Sequence, residues 1–434
     1  WSSAVCSSDL RTAGTVAIDG SAAVVTAMSA TINGVKSGAA YVVDMNTGRH
    51  TAQLVPTGGL AGDAFGAAAA INAGRVVVGA PNRLVSSPPV EFGAAYMFDA
   101  ATGQQIHRFF PSDPARASVF GRDVDIDGNL VVVGASGASP LGLPPNTGAA
   151  FVFNATTGAQ IMQLTAFDAA SDDLFGCAVG ISGNRIVVGA IAEDSFATDA
   201  GAAYIFDATT GGFLFKLLPI TGGSSLFFGY DVAIDGNTVV VGAPTLFGGG
   251  AAYLFDANTG ARIRVLKPPP GSDVENFGIS VSISGSTVIV GADNDEENGN
   301  FAGAAYLFDA QTGQLIAKLL ASDGGEDEFL GYSVGISGDR CVVGAPGRFG
   351  STIKDGAAYA FTVPDAPPCP GDLNNDGEID VLDFLDFFDA FGQCDGQPAP
   401  CPDESINADF NGDTFVDVLD FLDFFDAFGV GVCP

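Results

Sequence analysis

The stretch Phe228-Gly229-Tyr230-Asp231-Val232-Ala233-Ile234-Asp235-Gly236-Asn237-Thr238-Val239-Val240-Val241-Gly242-Ala243-Pro244 decides how this chain folds. It holds an Ile six places after the Phe, a turn pair at Asp235-Gly236, a β-branched run and a closing Gly-Ala. Asp-Gly supplies the positive φ of a tight hairpin. The run Val239-Val240-Val241 does not alternate with polar residues, which predicts a strand buried on both faces. The Gly-Ala that follows has little side chain, so a neighbouring backbone can approach closely.

The same offsets recur from Phe65, Phe120, Phe175, Phe277 and Leu330. An altered copy starts at Thr12, with Thr26 in the place of the fixed glycine. The isoleucines Ile18, Ile71, Ile126, Ile181, Ile234, Ile283 and Ile336 mark seven copies, roughly 50 residues apart. A second block, Gly-Ala-Ala plus an aromatic, ends at Tyr41, Tyr96, Phe151, Tyr204, Tyr253, Tyr306 and Tyr359. Six copies then turn through Thr-Gly, as at Thr210-Gly211, into a short apolar run such as Phe213–Leu218. Each unit thus offers four short strands. Four-stranded sheets stacked face to face over residues 12–363 predict an all-β, seven-bladed propeller. Only six copies supply the fourth strand, because residues 364–368 read as a linker. A native N-terminal segment that this sequence lacks is expected to have supplied the missing strand.

The Phe-Gly at 65–66 and the Gly-Ala-Pro at 79–81, repeated with variations, resemble the FG-GAP repeats of integrin α-subunit heads and many bacterial surface proteins. The resemblance implies a propeller that binds an extracellular protein or glycan. It also implies metal loops of alternating Asp and Asn in some repeats. Asp123, Asp125 and Asp127 alternate before Gly128, but the first two fall inside a predicted strand, so pairing between blades is the expected role. For Asp293-Asn294-Asp295-Glu296-Glu297 a solvated acidic loop is expected ahead of a cation site.

Residues 1–11 fit no copy of the repeat, and Val5–Leu10 reverse-translates onto a common sequencing adapter. We expect this segment to be adapter-derived and exclude it from fold reasoning. By default this segment is expected to sit in the open fourth-strand place.

The chain has 434 residues and a formal net charge of −33, with hydrophobic residues at 47%. Such an acidic balance disfavours nucleic acid or an anionic membrane as partner. No apolar run is long enough to span a bilayer. Residues 369–434 hold 16 acids and no Lys or Arg, which marks a second domain.

That domain contains a duplication. The run from Asp380 to Gly392 is repeated without change at 417–429. Ahead of each copy lies a loop of carboxylates and amides. In the first, Asp372, Asn374, Asp376 and Asp383 take places one, three, five and twelve, with Gly377 at six. Glu378 and Asp380 fill places seven and nine, which completes the EF-hand ligand order. The second loop offers Asp409, Asn411, Asp413, Phe415, Asp417 and Asp420, but Thr414 stands where the bend wants glycine. Two calcium ions are expected, the second held more weakly. Two such loops, each leading into one helix, resemble a type I dockerin: a small α-helical, EF-hand-like calcium domain. The resemblance implies docking to a cohesin-like or cell-surface protein through loop places ten and eleven. Here these are Val381 and Leu382, then Val418 and Leu419. The hydroxylated residues that many members carry there are absent.

Cys369, Cys394, Cys401 and Cys433 flank the two units, consistent with an extracellular or cell-surface setting. Pairing Cys369 with Cys394 and Cys401 with Cys433 would staple each unit, though three connectivities are open. Cys177 and Cys341 are expected to be buried free thiols. The leading functional expectation is a secreted, non-catalytic binding or scaffold protein. The alternative is a dockerin-tethered carbohydrate-active enzyme, which needs carboxylates converging on the ring's mouth. Loop acids such as Asp63, Asp172, Asp173, Asp273, Glu275, Asp327 and Glu328 are the candidates, while His50 and His107 are expected to be solvated.

Overall fold

The computed structural model describes residues 3–5, 13–82, 92–113, 116–220, 224–244, 249–269, 274–347 and 356–364. The chain divides into two units, Trp1–Val363 and Pro364–Pro434. The first contains seven four-stranded antiparallel sheets. The seven-bladed propeller is therefore observed. Blade 4 is typical: Phe175–Ser182, Arg185–Ala190, Ala202–Asp207 and Phe213–Leu217 pair in chain order. Blades 1, 2, 3, 5 and 6 begin at Ala13, Ala69, Ala117, Val232 and Val281. In blade 7, Ser333–Ser337, Arg340–Ala345 and Ala357–Thr362 are joined at the outer edge by Ser3–Val5, with Ala4 opposite Tyr359. The place left open by the sixfold fourth strand is thus filled from the N-terminal side.

The second strand of every blade follows the expected burial. In Thr238–Ala243 all residues after Thr238 are buried, and the same pattern holds in Arg185–Ala190 and Thr287–Ala292. Blade faces meet there. Val187, Ala203 and Ile205 of blade 4 share a core with Val239, Val241 and Tyr253 of blade 5. Val25 and Val43 of blade 1 share one with Val342 and Ala358 of blade 7, which closes the ring.

The Phe of each Phe-Gly anchors its own blade. Phe175 is fully buried and meets Tyr204 and Phe206 edge-on, with centroids 5.5 and 5.9 Å away. Phe228 stands likewise against Tyr253 and Phe255, and Phe277 against Tyr306 and Phe308. Such edge-to-face pairs add about 1 kcal/mol each beyond area burial. The anchored Phe fixes the next residue, Gly, against the preceding blade. A Cβ on Gly242 would overlap the carbonyl oxygen of Gly278, whose own φ is +94°. Gly79, Gly134 and Gly189 stand in the same relation to the next blade's Phe-Gly glycine, and Gly291 to Gly331, which follows Leu330. Where Thr26 replaces that glycine, its Oγ1 instead accepts the Thr15 amide at 2.8 Å, and Thr15 Oγ1 donates to Gly66 O at 3.1 Å.

Two features lay outside the sequence expectations. A small hairpin pairs Thr31–Ile32 with Val35–Lys36, and a short antiparallel ladder pairs Val274–Glu275, ahead of the first strand of blade 6, with Asn294–Asp295, after its second. The turn into the fourth strand depends on a carboxylate as well as on Thr-Gly. Asp207 Oδ1 accepts from Thr210 N at 2.8 Å and Thr210 Oγ1 at 3.0 Å, and these bonds lower the Asp207 pKa.

Replacing Gly242 by Ala is expected to cost about 3 kcal/mol, because backbone must move to admit the methyl group. Gly325→Ala has open space and no positive φ, and should change stability by less than about 0.5 kcal/mol. Urea titration of the two variants compares them directly.

Candidate functional site: the central channel

The first strand of each blade faces the axis, and together these strands line a cavity of about 360 Å³. Its wall is built in tiers. At one end the first turn residue of every blade accepts the amide of the next blade's turn. Asp19 receives from Ala73, Asn72 from Gly128, Asp127 from Gly183 and Ser182 from Gly236. Asp235 receives from Gly285, Ser284 from Gly338 and, closing the circle, Ser337 from Gly20. The seven bonds span 2.7–3.2 Å. Positive φ at the turn, as at Gly128 (+52°), aims each amide at its neighbour.

Deeper in the channel the acceptors are fewer and more acidic. Asp123 Oδ2 accepts the Val179 amide and Asp231 Oδ2 the Val281 amide, both at 2.7 Å. Ser280 and Ser333 do the same for Val334 and Val16. Asp125 takes the Ile181 amide through Oδ2 at 2.7 Å and its own neighbour Ile126 through Oδ1 at 2.8 Å. Asp123 and Asp125 therefore pair blades, as the sequence suggested. Enclosure raises all three carboxyls. Asp123 goes to about 7, helped by the negative charge of Asp231, while Asp125 and Asp231 go to about 6.

The loop acids do other things. Asp63 and Asp173 hold their own loops, accepting the amides of Leu60 and Ala170 at 2.7 and 2.6 Å. Asp293 and Asp295 are buried, which corrects the expectation of a solvated loop. Asn276 Nδ2 donates to Asp293, and Lys318 Nζ lies between Asp295 and Glu297. These residues do not suit a calcium ion, because an ammonium group stands between the two carboxylates. Among the described residues no three His, Cys, Asp or Glu side chains converge to hold a metal ion. His50 is exposed, and His107 Nε2 donates to Thr156 O at 3.0 Å. Cys177 and Cys341 are free and buried, which pushes both thiols up to about 12. Among the described residues no helix is long and apolar enough to cross a membrane.

The calcium ligands expected at Asp372–Asp383 and Asp409–Asp420 lie outside the described residues, as do Val381, Leu382, Val418, Leu419 and the four flanking cysteines. Sequence reading missed the acceptor ladder. Its signal was a residue with a side-chain oxygen directly after each repeat isoleucine: Asp19, Asn72, Asp127, Ser182, Asp235, Ser284 and Ser337.

The raised channel carboxyls set a pH dependence. In the folded state they keep protons that the unfolded chain, titrating near 3.8, has already lost. Their contribution therefore makes stability rise as pH falls from about 7 toward about 4. Asp123→Asn removes the most strongly shifted group. Paired thermal scans should show a shallower pH slope than wild type in that window and a higher midpoint above pH 7. An unchanged slope would contradict the assignment.

The family comparison agrees with this geometry. The FG-GAP repeat model matches residues 104–153, 159–206, 214–255, 264–308 and 314–361, together more than half of the chain. Each matched unit runs from the fourth strand of one blade through the third strand of the next. No curated protein matches the sequence. Among solved structures, the computationally designed Ika8 protein is similar at 18% identity and a TM-score of 0.49, over 81% of this chain and 83% of that one. With five repeat matches in register with the blades, this chain belongs to the FG-GAP repeat family.

Proposed function

We propose that the protein is an extracellular or cell-surface, non-catalytic binding protein. Its propeller presents a protein or glycan ligand site, and its C-terminal domain docks to a cohesin-like or cell-surface partner in a calcium-dependent way. One observation carries the non-catalytic reading. The carboxylates that converge on the axis, Asp123, Asp125 and Asp231, are each engaged by backbone amides of a neighbouring blade. FG-GAP propellers are typically binding folds, which supports the same reading. The tail reading rests on the ligand order of the two loops and on charge. Sixteen acids without a basic residue repel one another in a compact state, and two divalent ions would offset that repulsion at its densest points.

A second reading has its own support. Asp123 at about 7 beside Asp231 at about 6 gives one channel two carboxyls suited to proton transfer, as a glycosidase requires. Incubating the protein with a panel of polysaccharides and assaying reducing ends separates the two. The binding reading expects none released. Release that Asp123→Asn abolishes would establish the enzyme.

For the tail, calorimetric calcium titration of the full chain should resolve a tighter and a weaker site. Asp372→Ala should remove the tighter one and Asp409→Ala the weaker. EDTA should abolish the far-ultraviolet helical signal. A helical signal indifferent to EDTA would refute the calcium-held domain.

A further inference from the structure

In blades 4 and 6 a lysine of the fourth strand reaches back to the loop between the second and third strands. Lys216 Nζ lies 2.6 Å from Asp168 Oδ2 and 2.8 Å from Glu193 Oε1, and donates to Ser195 Oγ at 2.8 Å. Lys318 Nζ lies 2.8 Å from Asp295 Oδ2 and 2.5 Å from Glu297 Oε2. Glu193 and Asp295 occupy the same place of the repeat, four residues past the fixed Gly189 and Gly291, and are only 5% and 1% exposed. Each ammonium also stands 5.3 Å from the ring centre of the blade's tyrosine, Tyr204 or Tyr306. The hydroxyl of that tyrosine donates to a carboxylate of the same cluster, Asp168 or Asp295.

Carboxylates enclosed this deeply need a positive partner. Two carboxylates, further oxygen ligands and a π face are what a cation site offers, and here the cation is covalently part of the chain. Blade 2 aside, which has Arg83 and Arg108 at the two places, the sequence varies in step with this. Where the fourth residue past the fixed place is apolar, as at Ala30, Ala138 and Leu246, the lysine place holds Gln53, Gln163 and Val265. Acid and lysine are therefore present or absent together in these blades.

We infer that Lys216 and Lys318 are resident cations that order the loops 191–201 and 293–303, taking the neutralising role that a metal ion has in calcium-type repeats. These loops hold their shape with or without calcium. The propeller and the acidic tail consequently respond differently to chelation.

Hydrogen exchange read by mass spectrometry on the full chain tests this loop by loop, so that any response of residues 369–434 is scored separately. Wild type, Lys216→Met, Lys318→Met and the double variant Asp295→Asn with Lys318→Met are compared in calcium and in EDTA. Wild-type exchange in 191–201 and 293–303 should be the same in both buffers. Each single variant should speed its own loop by roughly tenfold or more and leave the other unchanged. The double variant, which also removes the stranded carboxylate, should recover most of the protection and stays informative if Lys318→Met does not fold. Chelation that speeds the wild-type loops by a similar factor would overturn the inference. So would lysine variants that exchange at the wild-type rate.

Discussion

A glycine pressed against the next blade's backbone is the contact on which the propeller depends. At five junctions the residue closing the buried β-branched run has no room for a Cβ, because the carbonyl of a glycine opening the following blade, preceded by Phe at four of them and by Leu330 at the fifth, occupies that space. Small residues at the junction bring blades together near the axis, while the larger Val, Phe and Tyr side chains fill the space between their faces. The Phe before each glycine makes the approach reproducible, since its ring is locked between two aromatics of its own blade. Blade 1 shows the alternative. With Thr26 in the glycine's place, a pair of threonine hydroxyls takes over the junction.

Because each matched repeat straddles two blades, no repeat can close on itself. The fourth strand of one blade and the first three of the next are continuous in the chain, so every unit is tied covalently to both sheets. The axis adds a second tie. Side-chain oxygens on the first strands accept amides from the next blade around the whole circle, including the junction between blades 7 and 1. This explains how a strongly acidic chain tolerates aspartates on its axis: they act as backbone acceptors, and enclosure raises their pKa values where they lie deepest.

The ring was legible from the sequence because its determinants are repeated and restricted in type. Only glycine fits at Gly242, and only an apolar run suits Val239–Val241, so both recur visibly. The acceptor ladder was hidden because Asp, Asn and Ser can all accept one hydrogen bond. The position therefore varies among Asp127, Ser182 and Asn72 while its role stays fixed. The loop at Asp293–Glu297 was misread as solvated because its positive partner, Lys318, lies 21 residues beyond Glu297. Only the pairing of strands brings them together. A comparison of acid and lysine places across copies would have exposed that pair.

The ring stands or falls at its closing junction, between blades 7 and 1. Amide exchange of Val16 and Gly20, measured by NMR, reports the bonds to Ser333 and Ser337 directly. In a closed ring both amides are as protected as Val179 and Gly183, their counterparts at the junction of blades 3 and 4. Exchange of Val16 and Gly20 at the rate of solvent-exposed amides, with Val179 and Gly183 still protected, would mean an open arc and contradict it.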